Sequence, residues 1–294
     1  MLNSQSLQKA LVTVALVLLT FSSSKAAADK ELPAPQYDSK KASMWINKML
    51  ETHGKKGPWQ TSENFSFNHT LYTLNFPGEY NPWWISQEQY QHKDRRGYHY
   101  YPMEDSLLVF KNHQTFFQNW NLPNPPGMMP FFNYRFVLLP WLPLEKGAVL
   151  SYTGKRKLPQ IETPFETVKL QFIAGATQTP NDYLRLYINP ESGQLKGVEY
   201  NSTYAPFLDG MGVSGDQFGP GFHVYDSFQK VEDILIPQRY STYFSENKAG
   251  VHAITNISLT KPFDEKLAHR AGGFEAVTAH PTKRMMKTNQ VGNK

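Results

Sequence analysis

Cysteine is absent from this chain of 294 residues. The absence excludes a disulfide framework, a thiol nucleophile and a lipid anchor attached to a cysteine. A chain of this length can bury a large core without such links. In an exported protein, the lack of cysteine favours a bacterial periplasm over a eukaryotic extracellular space, where disulfides are common.

Motifs for catalysis and cofactor binding are also lacking. The sequence has no H-E-x-x-H and no G-x-S-x-G, and its glycine-rich run at 210–221 lacks the lysine and helix of a P-loop. His92 and His99 flank a basic stretch, which is typical of a charged hairpin turn rather than of a metal site. We therefore expect no catalytic residue, no metal and no cofactor, and a protein that is not an enzyme.

Positive charge is scarce outside the two ends of the chain. The net charge is +5, but Lys9, Lys25 and four basic residues in 281–294 account for that excess. The rest of the chain is close to neutral, which argues against a nucleic-acid partner. Residues 266–294 are predicted to form a basic, disordered tail, whose charge allows at most peripheral contact with a membrane.

The first 28 residues have the layout of a secretory signal peptide. Lys9 precedes an apolar run at 10–21, and small residues follow up to Ala28. The run is shorter than the roughly 20 residues that a spanning helix needs. We predict cleavage after Ala28 and a periplasmic mature protein, with residues 29–37 as a proline-containing linker.

One amphipathic helix is predicted after this linker. Ser39 or Asp38 can cap its first turn, and Gly54 can end it. Apolar residues recur within it at spacings of three and four, which places them on one face. These residues are Ala42, Trp45, Ile46, Met49 and Leu50.

The remainder of the chain has mostly the alternating pattern of half-buried antiparallel strands. Val168, Leu170 and Phe172 alternate with polar residues, and 189–193 has the composition of a turn between two strands. The apolar run 134–144, YRFVLLPWLPL, is different, because Pro140 and Pro143 disfavour both a long helix and a central strand. This run is either a lid or rim over a cavity, or a packed connector under the sheet.

The sequence resembles the LolA/LolB-like superfamily of periplasmic lipoprotein-binding proteins, in particular its poorly characterised secreted bacterial branch. The resemblance is carried by 52–59 (THGKKGPW), 182–195 (DYLRLYINPESGQL), 198–200 (VEY) and 234–240 (ILIPQRY). It implies a mainly β (α+β) fold in one domain at 38–265. In this fold a curved antiparallel sheet forms a half-open barrel, with the N-terminal helix in its concavity. It also implies an apolar cavity for acyl chains, although no binding residue is transferred by a specific motif.

Our leading hypothesis is a non-catalytic binding protein for an apolar ligand, either a lipid or the acyl chain of a lipoprotein, with an envelope protein as a possible partner. Trp45, Ile46 and Met49 are the candidates for the cavity lining, and all three could equally be ordinary core. The candidates for the rim, with the same alternative, are Phe136, Leu138 and Trp141.

Two other functions stay open. The first is a secreted protein that binds or processes carbohydrate, for which Trp83–Trp84 and the aromatic residues of 98–101 would stack on sugar rings. The second is a structural envelope protein in which the aromatic strands only pair and pack.

Overall fold

The computed structural model describes residues 32–75, 79–92, 96–111, 114–122, 126, 132–177, 179–210 and 217–277. The predicted signal peptide, with its cleavage site after Ala28, lies outside these residues, as does the end of the predicted tail from 278 onwards. Within the part of the chain that the structure describes, no helix is long and apolar enough to cross a membrane.

The predicted amphipathic helix is confirmed as α1, Lys40–His53. The hydroxyl of Ser39 accepts a hydrogen bond from the amide of Ala42 at 3.2 Å and so caps the first turn. Gly54 ends the helix with φ at +101°, a backbone conformation that favours glycine. The helix buries Ala42, Ile46, Met49, Leu50 and His53.

The described residues contain fourteen strands, all in one sheet. They are β1 Gln36–Tyr37, β2 Asn64–Asn75, β3 Glu79–Gln91, β4 Arg96–Tyr101, β5 Ser106–Lys111, β6 Gln114–Gln118, β7 Ala148–Leu158, β8 Ile161–Phe172, β9 Leu184–Ile188, β10 Leu195–Ser202, β11 Phe218–Val231, β12 Ile234–Phe244, β13 Asn247–Ser258 and β14 Glu275–Ala276. The shorter helices are α2 Pro58–Thr61, α3 Phe132–Val137, a 3-10 helix at Leu139–Leu144, α4 Ala205–Gly210 and α5 Glu265–Ala268.

The strand order is β1-β7-β8-β9-β10-β11-β12-β13-β2-β3-β4-β5-β6-β14, antiparallel except for the β1–β7 pair. The sheet is curved and does not close, which confirms the mainly β, half-open architecture predicted from the sequence. Most neighbours are consecutive in sequence. In the turn between β9 and β10, Gly193 has φ at +75°, and the side chain of Asn189 accepts from the amides of Glu191 and Ser192.

One face of the sheet, here called the inner face, packs against α1. It carries Phe65 and Phe67 of β2, Tyr90 of β3, Tyr225 of β11 and Tyr240 of β12. These side chains share one face because alternate residues of a strand point the same way. With the buried residues of α1, α3 and the 3-10 helix they form the largest apolar cluster of the described chain.

Parts of the predicted linker and tail join this sheet. From the linker, β1 pairs with Val149 and Leu150 of β7. From the predicted tail, β14 pairs with β6, and Ala268 of α5 is buried against residues of β4 and β5. This packing gives residues 266–277 a defined structure.

Candidate functional site

A short apolar segment lies over the inner face. It comprises α3 and the 3-10 helix, residues 132–144, and is called the cover segment here. Pro140 and Pro143 explain why its second part is a 3-10 helix rather than a longer α-helix. The indole nitrogen of Trp141 donates to the carbonyl of Gly54 at 2.8 Å, and the Tyr225 hydroxyl donates to the carbonyl of Phe136 at 2.7 Å.

The residues proposed as cavity lining and rim meet in one place. Ile46 and Met49 of α1 belong to the same apolar cluster as the cover residues Phe136, Leu138 and Trp141, and all five are at most 2% exposed. Trp45 is half-buried and packs at the border of this cluster, with the ammonium nitrogen of Lys48 5.4 Å from the centre of its ring. Their role in holding a ligand stays a prediction.

A row of polar side chains crosses the middle of the inner face, on six neighbouring strands. We call it the polar row: His223 of β11, Thr242 of β12, His252 of β13, His69 of β2, Glu88 of β3 and His99 of β4. Every member is buried. On β2, His69 stands between Phe67 and Leu71, so the row separates the main apolar cluster from a second one under α4.

The hydrogen bonds of His69 fix the tautomers along half of this row. Its Nδ1 accepts from the amide nitrogen of Asn133 at 3.0 Å and from the indole nitrogen of Trp84 at 3.3 Å. Its Nε2 therefore carries the proton and donates to Nδ1 of His252 at 2.9 Å. His252 then donates to the hydroxyl of Thr242 at 2.9 Å, and Thr242 donates to Nδ1 of His223 at 3.0 Å.

Glu88 occupies the other half of the row. Its carboxylate accepts from the hydroxyl of Ser86 at 2.8 Å, the hydroxyl of Tyr90 at 2.5 Å and the amide nitrogen of Asn133 at 2.6 Å. Because Tyr90 gives its only proton to Glu88, the Nε2 of His99, 2.8 Å from the Tyr90 hydroxyl, must be a donor. Accepting at both oxygens is the pattern of an ionised carboxylate.

Burial sets the protonation of the histidines. It lowers the pKa of His69 to about 4, although the charge of Glu88 acts in the opposite direction. Burial also lowers the pKa of His223 to about 3 and that of His252 well below its ordinary value. At neutral pH these three imidazoles are uncharged, so this part of the row works through neutral hydrogen bonds.

Sequence reasoning missed the polar row. The alternation in β13 suggests that His252 lies with Asn256 and Ser258 on a polar face, whereas His252 is buried on the inner face with Ile254. The signal that could have found the row is Phe65-x-Phe67-x-His69-x-Leu71, which places a histidine on an apolar strand face. Among the described residues, no group of three His, Asp or Glu side chains could hold a metal ion.

Of the aromatic residues considered for carbohydrate stacking, Trp84, Tyr98 and Tyr101 are buried and Tyr100 is half-buried. Trp84 is 4% exposed, and its indole nitrogen is engaged by His69. The side chain of Trp83 is not among those described. Faces buried in this way cannot stack on a sugar ring.

Comparison with known proteins identifies a shared fold. No protein-family model and no curated protein matches the sequence. A DUF1329 family protein from Desulfovibrio piger is similar in structure, with a TM-score of 0.51 and 8% identity over 79% of this chain and 98% of that chain. A LolA superfamily protein from Nitrosomonas europaea matches with a TM-score of 0.48 and 10% identity over 77% of this chain and 96% of that one.

A domain from Vibrio parahaemolyticus, provisionally named an outer membrane lipoprotein-sorting protein, matches with a TM-score of 0.47 and 7% identity, over 79% and 97% of the two chains. Only the Desulfovibrio piger protein exceeds a TM-score of 0.5 among these three, so the assignment of fold rests on it. The fold predicted from the sequence is confirmed by this match.

Proposed function

We propose that this protein is a non-catalytic binding protein of the bacterial periplasm that holds an apolar ligand, a lipid or the acyl chain of a lipoprotein, on the inner face. The observation that supports this most directly is the way the face is covered. A broad apolar face of an unclosed sheet lies under α1 and the cover segment, both of them helical. The sequence resemblance to the LolA/LolB-like superfamily implies the same kind of ligand.

The ligand would take the place of the cover residues Phe136, Leu138 and Trp141. These side chains are buried against apolar partners, so an acyl chain that replaced them would keep the inner face out of water. Each CH₂ group buried in this way contributes about 0.8 kcal/mol. Burial of the ligand therefore has to offset the burial free energy that is lost when the cover segment leaves the inner face.

α1 would be the fixed wall of the site, because polar contacts anchor its last turn to the sheet. The Nδ1 of His53 donates to the carbonyl of Leu235 at 2.8 Å, and its Nε2 accepts from the amide of Leu195 at 3.0 Å. The hydroxyl of Thr52 donates to the carbonyl of Ser192 at 2.7 Å. Ile46 and Met49 would then line the site without moving.

The location and the partner belong to the same proposal. The signal-peptide pattern of residues 1–28 and the lack of cysteine support export to the periplasm. A carrier of apolar cargo must receive and release it, which requires a second envelope component, either a protein partner or a membrane surface touched peripherally.

Native mass spectrometry of the mature protein, purified from the periplasm of its own host and followed by organic extraction, tests this function. We expect a co-purifying lipid of defined mass that is released on extraction. A protein that is free of lipid as isolated, and stays so after incubation with vesicles of host phospholipid, would contradict the proposal.

A further inference from the structure

We infer that the ligand carries a hydrogen-bond donor, an amide N–H or an amine, at the end of its apolar chain, and that this donor replaces the Asn133 amide between Glu88 and His69. The inference rests on the proposed function and names the chemical class of its ligand. Glu88 and His69 are then the residues that select ligands of this class.

The geometry at Asn133 carries the inference. Its amide nitrogen lies 2.6 Å from Oε1 of Glu88 and 3.0 Å from Nδ1 of His69, so two acceptors converge on one donor. The acceptors belong to the sheet, on β3 and β2, whereas the donor belongs to the cover segment. A ligand that displaces the cover segment removes this donor, and two buried acceptors then need another.

The charge at this position excludes an anionic headgroup. Glu88 accepts from three donors, and the ion-pair partners found for it in the described chain are His69 and His99, at 3.9 and 3.4 Å. Burial lowers the pKa of both histidines, so neither offers a positive charge at neutral pH. A carboxylate or phosphate here would face Glu88 without a compensating cation, in a buried setting where like charges repel strongly.

The surroundings give the ligand its orientation. On one side of the two acceptors lie Phe67 and Tyr90, which belong to the same apolar cluster as α1 and the cover segment. An acyl chain in that cluster would bring its first polar atom to the polar row. An N-acylated amide or an alkylamine therefore satisfies both regions, whereas a free fatty acid satisfies only the apolar one.

Calorimetric titration with decanamide and decanoate at neutral pH tests the inference, because the two probes differ only in the headgroup. We expect the mature protein to bind decanamide about tenfold to a hundredfold more tightly, the range for a hydrogen bond to a charged group. In Glu88→Gln the preference should fall towards unity, because the charge that repels decanoate is gone. Glu162→Gln, at a 95% exposed carboxylate, is the matched control and should keep the preference.

A second variant separates donor replacement from simple loosening of the cover segment. Asn133→Ala removes the side-chain amide that competes with the ligand for Glu88 and His69. It should raise the affinity for decanamide severalfold without raising that for decanoate. Asn47→Ala, on the exposed face of α1, should change neither. Thermal melting of each variant checks that it is folded, and the preference of the unmodified protein needs no variant at all.

The outcomes distinguish this inference from the proposed function. Equal affinity for the two probes, or equal gains for both in Asn133→Ala, would overturn the inference and leave apolar-ligand binding intact. A co-purifying free fatty acid would do the same. No binding of either probe by a protein that still carries a co-purified lipid would also overturn the inference alone, whereas a protein free of lipid in both experiments would remove the proposed function and the inference with it.

Discussion

At the scale of single residues, buried histidines determine how the stability of this protein changes in acid. His69 and His53 are neutral in the folded protein, because burial lowers the pKa of each to about 4. In the unfolded chain a histidine takes up a proton near pH 6.5. Below that pH the unfolded state binds more protons than the folded one, so the free energy of unfolding decreases as the pH is lowered.

We expect the free energy of unfolding to drop between pH 6.5 and 4, by about 1.4 kcal/mol per pH unit for each such histidine. Urea unfolding at a series of pH values measures this slope. In His53→Gln the slope should decrease by the share of one histidine. A stability that is flat from pH 7 to 5 would contradict the assignment of neutral buried imidazoles.

Two adjacent residues of α1 offer a matched test of the proposed site. Trp45 packs at the border of the main apolar cluster, whereas the neighbouring Met44 is 50% exposed. We expect Trp45→Glu to weaken binding of the co-purified lipid by about tenfold or more, since a charge enters an apolar surface, and Met44→Glu to leave it unchanged. Circular dichroism distinguishes the alternatives, because a Trp45→Glu variant that unfolds marks Trp45 as ordinary core.

The burial of individual residues could be predicted from the sequence only where one face of an element is uniform. Ile46 and Met49 follow from helical spacing, and the structure places them together with Phe136, Leu138 and Trp141. The polar row could not be predicted in the same way. Its members lie on six strands, and spacing within one strand does not show which residue of another strand is its neighbour.

The end of α1 shows how one element is fixed by a close approach. A Cβ at Gly54 would lie 2.8 Å from the side chain of Ile234 and 3.0 Å from the carbonyl of Asp233. Gly154 also has a positive φ, at +82°, but a Cβ there would meet nothing within 4 Å. A residue with a Cβ would strain the backbone at both positions, but only at Gly54 would it also clash with neighbouring atoms.

We expect Gly154→Ala to lower the free energy of unfolding by about 1 kcal/mol, from backbone strain alone. Gly54→Ala should lower it by about 1–3 kcal/mol more, because the added Cβ overpacks the contact with β12. Chemical denaturation of both variants measures the difference. Equal losses would mean that α1 can shift away from β12 at no cost, which would weaken its proposed role as a fixed wall.

Prediction of the elements succeeded where local chemistry specifies them. The Ser39 cap, the Gly54 end and the turn at 189–193 are all present as predicted. The apolar run at 134–144 was ambiguous because buried helices and buried connectors have the same composition. The structure resolves it as the end of α3 followed by a 3-10 helix.

On the scale of the whole molecule, one long-range pairing joins the two halves of the sheet. β2 and β13 come from opposite ends of the described chain and pair through His69 with Ile254 and Thr70 with Ala253. The outermost strands, β1 and β14, are two residues long. The sequence pattern predicts strands but not this order, because many partners satisfy the same alternation.

Hydrogen exchange followed by mass spectrometry should reflect this arrangement. We expect peptides from β2 and β13 to be among the slowest to exchange, since they lie inside the sheet and bury side chains on its inner face. Peptides from β1 and β14 should exchange fastest, because each of these strands pairs on one side only. Early exchange in β2 and β13 would show that the sheet opens at this pairing instead.

The pairing of β2 with β13 also bears on the order in which the chain leaves the ribosome. His69, Glu88 and His99 are synthesised early, whereas Thr242, His252 and His223 come late. The two halves of the polar row can meet only after β13 has emerged. A chain interrupted before that point has no completed inner face, so under the proposed function only a finished molecule would be able to accept a ligand.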